Sequence, residues 1–200
     1  MGNAAPEPLT RSPELMSVGD TALLVIDIQE KLLPAIDGGG RVVWNARRLI
    51  DGAKLLDVPI AATEQYPRGL GPTVPILVER LTERPSKLSF SCGGCPGLFD
   101  AWEALGVGKL LVCGMETHVC VQQTVLDLLG YGWRVYVAVD AVGSRYPLDH
   151  RTALERMSAS GATLTTTEAA LFELCQTAAA PQFKEISRLV RELPPDASPV

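Results

Sequence analysis

Residues 109–141 read KLLVCGMETHVCVQQTVLDLLGYGWRVYVAVDA. KLLVCGM (109–115) is a short, nearly continuous apolar run, as a strand buried on both faces should be. VCVQQTVLDLLGYG (119–132) changes period, and Val121, Val125, Leu128 and Leu129 form one helical stripe. RVYVAVDA (134–141) returns to an apolar, β-branched run. Strand, helix and strand with short connections make a crossover unit, which places the two strands parallel in one sheet.

The same alternation extends in both directions. Upstream, TALLVIDI (21–28), VPIAATE (58–64) and a brief KLSFS (87–91) read as strands. VVWNARRLIDGAKLL (42–56) and GLFDAWEALGV (97–107) read as helices, the first with Val43, Ala46, Leu49, Ile50 and Ala53 at spacings of three and four. Downstream come helical LDHRTALERMSASG (148–161), a sixth strand ATLTTT (162–167), and helical EAALFELC (168–175) and FKEISRLVREL (183–193). The expected fold class is α/β, a three-layer αβα architecture around a central, mostly parallel six-stranded sheet. No internal repeat is visible. One domain is expected over residues 18–193, with flexible tails at 1–17, which hold three prolines, and at 194–200.

Composition narrows the function classes. Apolar residues make up 46% of the 200, enough for a sizeable core. Eighteen basic against 23 acidic residues give a net charge of −5, and no basic stripe exists to track a phosphate backbone, so nucleic acid is not an expected partner. No run approaches the roughly 18 apolar residues of a membrane span. The N-terminal MGNAAPEPLTRSPEL lacks the apolar core of a secretory signal, and Pro6 stands where a myristoylation signal wants Ser or Thr. An odd count of five cysteines fits reduced thiols, hence a cytoplasmic location.

Ligands of parallel sheets bind beyond the carboxyl ends of the strands. Three polar residues near the strand ends stand out. Asp27 closes an apolar run, and an acid in that position is costly to bury without a partner. Lys87 opens KLSFS after a loop, although a solvated lysine is the ordinary alternative. Cys120 starts a helix, where exposed amide donors and the positive dipole end favour a thiolate, with Thr117 as a cap. The plain alternative for Cys120 is a small buried apolar residue. His118 is a tempting base for the thiol. Two residues apart at a helix start, however, His118 and Cys120 point about 200° apart. His118 is therefore read as a wall or interface residue and His150 as a solvated one.

In these stretches the chain resembles the isochorismatase-like cysteine hydrolases. The likeness runs from about residue 18 to about 176 and is carried by LLVIDIQEKLL, ATEQYPRGLGPTVPIL, SKLSFSC, the segment 106–145 and ALERMSASGATLTTTEAALFEL. The resemblance implies a triad of Asp27, Lys87 and Cys120, with Cys120 the nucleophile, Asp27 the base and Lys87 a fixed positive charge. It implies an oxyanion hole from the backbone N–H groups of Glu116 and Cys120, a cis Met115–Glu116 bond, and Gln29 and Tyr66 at the substrate, with Arg68 and Leu70 nearby. It also implies a homo-oligomer, a dimer or higher, to which Trp44, Trp102 and Trp133 would add apolar contacts unless they belong to the core.

Nicotinamidases of this family hold a metal with an Asp-x-His pattern and a further His. Here the corresponding region, TEQYPRGLGP, has no His, so neither metal nor cofactor is expected. The presence of Cys120 favours hydrolysis of a C–N bond (amide, ureido or carbamoyl) in a small molecule, through a thioester-type intermediate.

Other readings compete. Cys92 and Cys95 form a C-x-x-C between a short strand and a helix, as in thiol–disulfide redox proteins. GGG (38–40) and GLG (69–71) do not match a nucleotide-binding glycine pattern. A scaffold that keeps the fold without catalysis is the remaining alternative.

Overall fold

The computed structural model describes residues 9–195. The elements run in the order β1 (Thr21–Ile26), α1 (Gly39–Leu55), β2 (Ile60–Gln65), α2 (Pro67–Leu70), α3 (Pro75–Val78) and β3 (Ser86–Lys87). They continue with α4 (Pro96–Ala104), β4 (Lys109–Met115), α5 (Gln122–Gly130), β5 (Arg134–Gly143), α6 (Pro147–Ala159), β6 (Thr163–Thr165), α7 (Thr167–Cys175) and α8 (Phe183–Val190). Short 3₁₀ turns at Leu33–Ala35 and Cys92–Gly94, and a π-helical turn at Thr117–Val121, complete the chain.

The six strands form one sheet in the order β3-β2-β1-β4-β5-β6, and every pairing is parallel. This is the expected α/β architecture. The central strands are buried on both faces, so their side chains divide between two cores by simple alternation. Leu23 and Val25 of β1, Leu111 and Cys113 of β4, and Tyr136 of β5 pack with α1, α7 and α8 on one side. Leu24, Ile26, Leu110, Val112, Val135 and Val137 pack with α4, α5 and Met157 of α6 on the other. Trp102 and Trp133 belong to this second core, edge-on to Phe99, which answers the question of whether they serve packing or an interface. Trp44 instead lies under the Arg48 guanidinium, 4.2 Å from the ring centroid.

Strand order positions the site. From β1 the chain steps to β2 and β3 on one side, then returns to β4 on the other, so the connections leaving β1 and β4 diverge and open a crevice between their carboxyl ends. Close contact there requires Gly114. Its φ is +139°, and a Cβ would come within 2.1 Å of the Ile26 carbonyl oxygen.

Several boundaries differ from expectation. The β3 strand holds two residues rather than five, because Lys87 turns its side chain inward and Leu88 to Ser91 leave the sheet. The Gly- and Pro-rich loop after β2 carries α2 and α3, each begun by a proline at its first turn. The expected N-terminal tail is packed in part. Met16 is fully buried, and Arg11 donates to the carbonyls of Met16 and Glu173 at 2.8 and 2.7 Å. Residues 1–8 and 196–200 of the expected tails lie outside the described residues.

Candidate active site

Asp27 is the first residue after β1, with φ +51°, a left-handed conformation that Asp tolerates better than most residues. Its carboxylate is turned back over the sheet toward β2 and β3. Lys87 Nζ lies 2.6 Å from Asp27 Oδ2, and both side chains are fully enclosed. Thr63 of β2, between them in the sheet, donates its hydroxyl to Asp27 Oδ1 at 2.8 Å. The Lys87 ammonium also donates to Gln65 Oε1 at 2.9 Å and to the Phe90 and Ser89 carbonyls at 2.8 and 3.3 Å. Each charge in the pair therefore has hydrogen-bond partners besides the other, which a buried ion pair requires. Burial works against the Lys87 ammonium, but Asp27 and the neighbouring thiols outweigh it and hold its pKa above the ordinary value.

Cys120 approaches from the other side of the crevice, on the π-helical turn after β4. It is 5% exposed. Burial pushes its thiol well above the ordinary value, and Asp27 adds to this through its charge and as a hydrogen-bond acceptor; Lys87 opposes them. This reverses one expectation. Helix start and lysine were expected to favour a standing thiolate. Burial is the largest effect and the Asp27 charge adds to it, so the thiol pKa is raised and not lowered, although Lys87 acts the other way. The structure thus brings together the three residues that sequence reasoning singled out, as an ion pair next to a thiol.

The turn before Cys120 is held by the segment after β5. Arg145 grips the Glu116 carboxylate with Nε to Oε2 at 3.0 Å and Nη2 to Oε1 at 2.8 Å. Burial would raise the Glu116 pKa, yet the bonds from Arg145 bring it below the usual carboxylate value. His118 Nδ1 lies 3.0 Å from Ser144 Oγ and its Nε2 lies 3.9 Å from Asp149, so the ring belongs to the wall beside α6. Thr117 is fully buried and bonds His150 Nδ1 at 3.0 Å instead of capping the helix. His150, expected in solvent, is half-buried, which lowers its pKa. The Met115–Glu116 peptide is cis, as expected.

Gln29 does not meet the expectation of substrate contact. It is fully buried, its amide nitrogen donates to the Gln65 and Gly71 carbonyls at 3.0 and 2.6 Å, and its oxygen accepts from the Gln65 N–H at 2.8 Å. A side chain so committed shapes the loop after β2. Tyr66 is half-exposed and, with Pro67, Arg68, Ser86, Lys87 and Leu88, lines a cavity of about 290 Å³.

The C-x-x-C pair is buried in the same region, and all five cysteines are free. Cys92 lies against Thr63, its Sγ 3.5 Å from Oγ1, and burial together with Asp27 pushes its thiol up to about 12. A redox C-x-x-C needs an accessible thiol of lowered pKa; this one has neither property.

Sequence reasoning missed Thr63, Gln65 and Arg145. The first two stand near the end of β2, where the strand-end rule applied to β1 would have found them. Arg145 pairs with Glu116 across 29 positions, and no local pattern signals that.

Comparison with known proteins places these observations. A family model described as Isochorismatase domain matches residues 21–169. The chain is 44% identical over 176 residues to isochorismatase domain-containing protein 2A of Mus musculus, covering 88% of this chain and 84% of that protein. A solved structure of the MAR1 ribonuclease from Caenorhabditis elegans superposes with a TM-score of 0.85 at 41% identity, covering 93% of this chain and 97% of that one. The YcaC gene product of Escherichia coli, described as an octameric hydrolase of unknown specificity, superposes with a TM-score of 0.78 at 27% identity, covering 84% and 85%.

Proposed function

The chain belongs to the isochorismatase-domain family, and from that premise we propose that it is a cysteine-dependent hydrolase of C–N bonds in small amides, ureas or carbamoyl compounds. The observation that carries this reading is the fully enclosed Lys87–Asp27 pair beside the Cys120 thiol. A thiol whose proton can pass to an adjacent Asp carboxylate is poised for general-base attack. Asp27 takes the thiol proton as Sγ bonds to the carbonyl carbon. The carbonyl oxygen becomes an oxyanion, received by the N–H groups of Glu116 and Cys120. The C–N bond then breaks as Asp27 delivers the proton to the leaving nitrogen, leaving a thioester-type acyl enzyme. Water, deprotonated by Asp27, attacks this intermediate, and the proton returns to sulfur. Lys87 holds the Asp27 carboxylate in place between the steps through its 2.6 Å contact with Oδ2.

Substrate contact falls to Tyr66 and the cavity beside it. Leu88 (77% exposed) and Phe90 lie on the chain just after Lys87 and present apolar surface. In a homo-oligomer a second copy would cover it, as the octameric state of the E. coli neighbour suggests. Sedimentation at micromolar concentration is the check, and a single 21.4 kDa species would contradict it. No helix among the described residues is long and apolar enough to cross a membrane. Five free thiols suit a reducing compartment such as the cytoplasm.

The test is ammonia release across a panel of amides, ureas and carbamoyl compounds, with single-stranded RNA as a further arm because of the ribonuclease neighbour. The proposal expects one of the small molecules to be turned over, with loss in Cys120→Ala and an acyl adduct on Cys120 by mass spectrometry. RNA cleavage that survives Cys120→Ala, with no small molecule turned over, would replace it.

A further inference from the structure

Three consecutive residues ahead of the nucleophile, Glu116, Thr117 and His118, are each tied to residues 144–150, by Arg145, His150 and Ser144. Only one of these ties joins two permanent charges. Glu116 is 6% exposed, and its carboxylate receives two donors, Nε and Nη2, from one edge of the Arg145 guanidinium, with the Arg145 backbone N–H at 3.4 Å from Oε2 as a third contact. We propose that Arg145 is a positioning residue: by gripping the Glu116 side chain at two points it fixes the direction of the Glu116 amide, one of the two oxyanion donors. This rests on the cysteine-hydrolase reading above.

The physical argument is about rotation. The N–H of Glu116 and its side chain share one Cα, so a residue free to pivot swings its amide as it moves. A carboxylate held by a single donor can still rotate about that bond, whereas a fork-to-fork pair blocks the rotation. The residue is also anchored at its carbonyl, which accepts from the Val119 and Val121 N–H groups at 3.1 and 3.2 Å. Carbonyl and carboxylate are thus held from two sides. The amide that remains is the group the mechanism needs aimed at substrate. Arg145 is half-exposed and can grip Glu116 without itself being stripped of water.

Two small probes on the full-length protein separate this role from general support. Acrylamide adds to Cys120 when Sγ bonds to the terminal alkene carbon and the π pair shifts toward the carbonyl. The negative charge gathers on the amide oxygen until the adjacent carbon takes the thiol proton. Methyl methanethiosulfonate reacts instead as Sγ gives up its proton to Asp27 and bonds to the methylthio sulfur, while the S–SO2 bond breaks and methanesulfinate leaves with its electron pair, with no carbonyl oxygen involved. Arg145→Ala should slow the acrylamide reaction by about tenfold or more, while the thiosulfonate rate changes by less than about threefold. Arg145→Lys, which keeps the charge but not the fork, should fall between the wild type and Arg145→Ala. Glu116→Gln should reproduce the alanine effect, and the double variant should be no slower than either single one. An unchanged ratio of the two rates in Arg145→Ala, whether both hold or both fall together, overturns the proposal. If the wild-type protein takes neither probe at Cys120, the nucleophile reading fails, and the positioning role fails with it.

Discussion

Lys87 and Asp27 form an ion pair at 2.6 Å in which neither side chain is exposed. The residues are 60 positions apart and lie on opposite sides of β2, so the sheet spends its interior on bringing them together. Removing one partner leaves a buried charge with no opposite charge beside it, although its other hydrogen bonds remain. Lys87→Met should therefore cost about 3–5 kcal/mol of stability, read from urea unfolding, as well as activity. The Asp27→Asn/Lys87→Met double variant should regain much of the stability and none of the turnover. If the double variant is no more stable than Lys87→Met, charge burial is not the cause.

The base assignment separates Asp27 from His118. Asp27→Asn keeps the shape but cannot hold the thiol proton, so turnover should fall about 10²–10⁴-fold. His118→Ala should retain most activity, because its ring is engaged by Ser144 and Asp149. Steady-state rates on a substrate from the ammonia-release panel decide it, and the opposite pattern would make His118 the base.

Cys120 should be the thiol that iodoacetamide labels fastest, as read by peptide mapping, since Cys92 and Cys113 are fully buried and, of the three thiols with some exposure, it is the one that bonds to the Asp27 carboxylate; faster labelling of Cys95 or Cys175 would contradict this. The raised pKa of Cys120 gives the pH dependence a sign. The thiolate fraction keeps growing above the ordinary thiol value of 9.0, so the labelling rate should climb through that value without levelling off. A plateau near neutrality would point to a standing thiolate instead.

His150 should make the fold acid-sensitive. Its folded pKa lies below the ordinary 6.5 because it is half-buried. The unfolded chain therefore binds the proton first, and the stabilisation present above 6.5 is lost as pH falls toward the folded value. Urea midpoints should drop between about pH 7.5 and pH 5.5, and less so in His150→Gln. Equal drops in the two proteins would clear His150 of the effect.

Gly114→Ala should destabilise by more than about 3 kcal/mol, combining a strained φ with a contact that backbone cannot yield. A Cβ there meets the Ile26 oxygen at 2.1 Å, so β1 and β4 would have to separate beside the site. Thermal unfolding of the variant is the measure, and a near-wild-type midpoint would show that the two strands can part without cost.

Periodicity carried most of the architecture. A strand buried on both faces must be apolar at nearly every position, and a helix on a sheet must show a stripe, so residues 109–141 specify a parallel crossover by their pattern alone. The positions of Asp27 and Cys120 were legible for a related reason, since such a sheet binds just past the carboxyl ends of its strands, whereas Lys87 was read at the opening of a strand that in fact ends with it. Local pattern reached no further than the positions of these groups. That the Cys120 thiol has a raised pKa depends on the burial that three strands and a turn create together, and on the Asp27 charge brought beside it. Gln29 looked like a substrate ligand, and only the course of the loop after β2 showed its amide spent on Gln65 and Gly71. The Arg145–Glu116 grip joins a strand exit to a turn 29 positions earlier. Sequence specifies the two charges, but their distance is a property of the sheet register, because electrostatics and desolvation act through space and not along the chain.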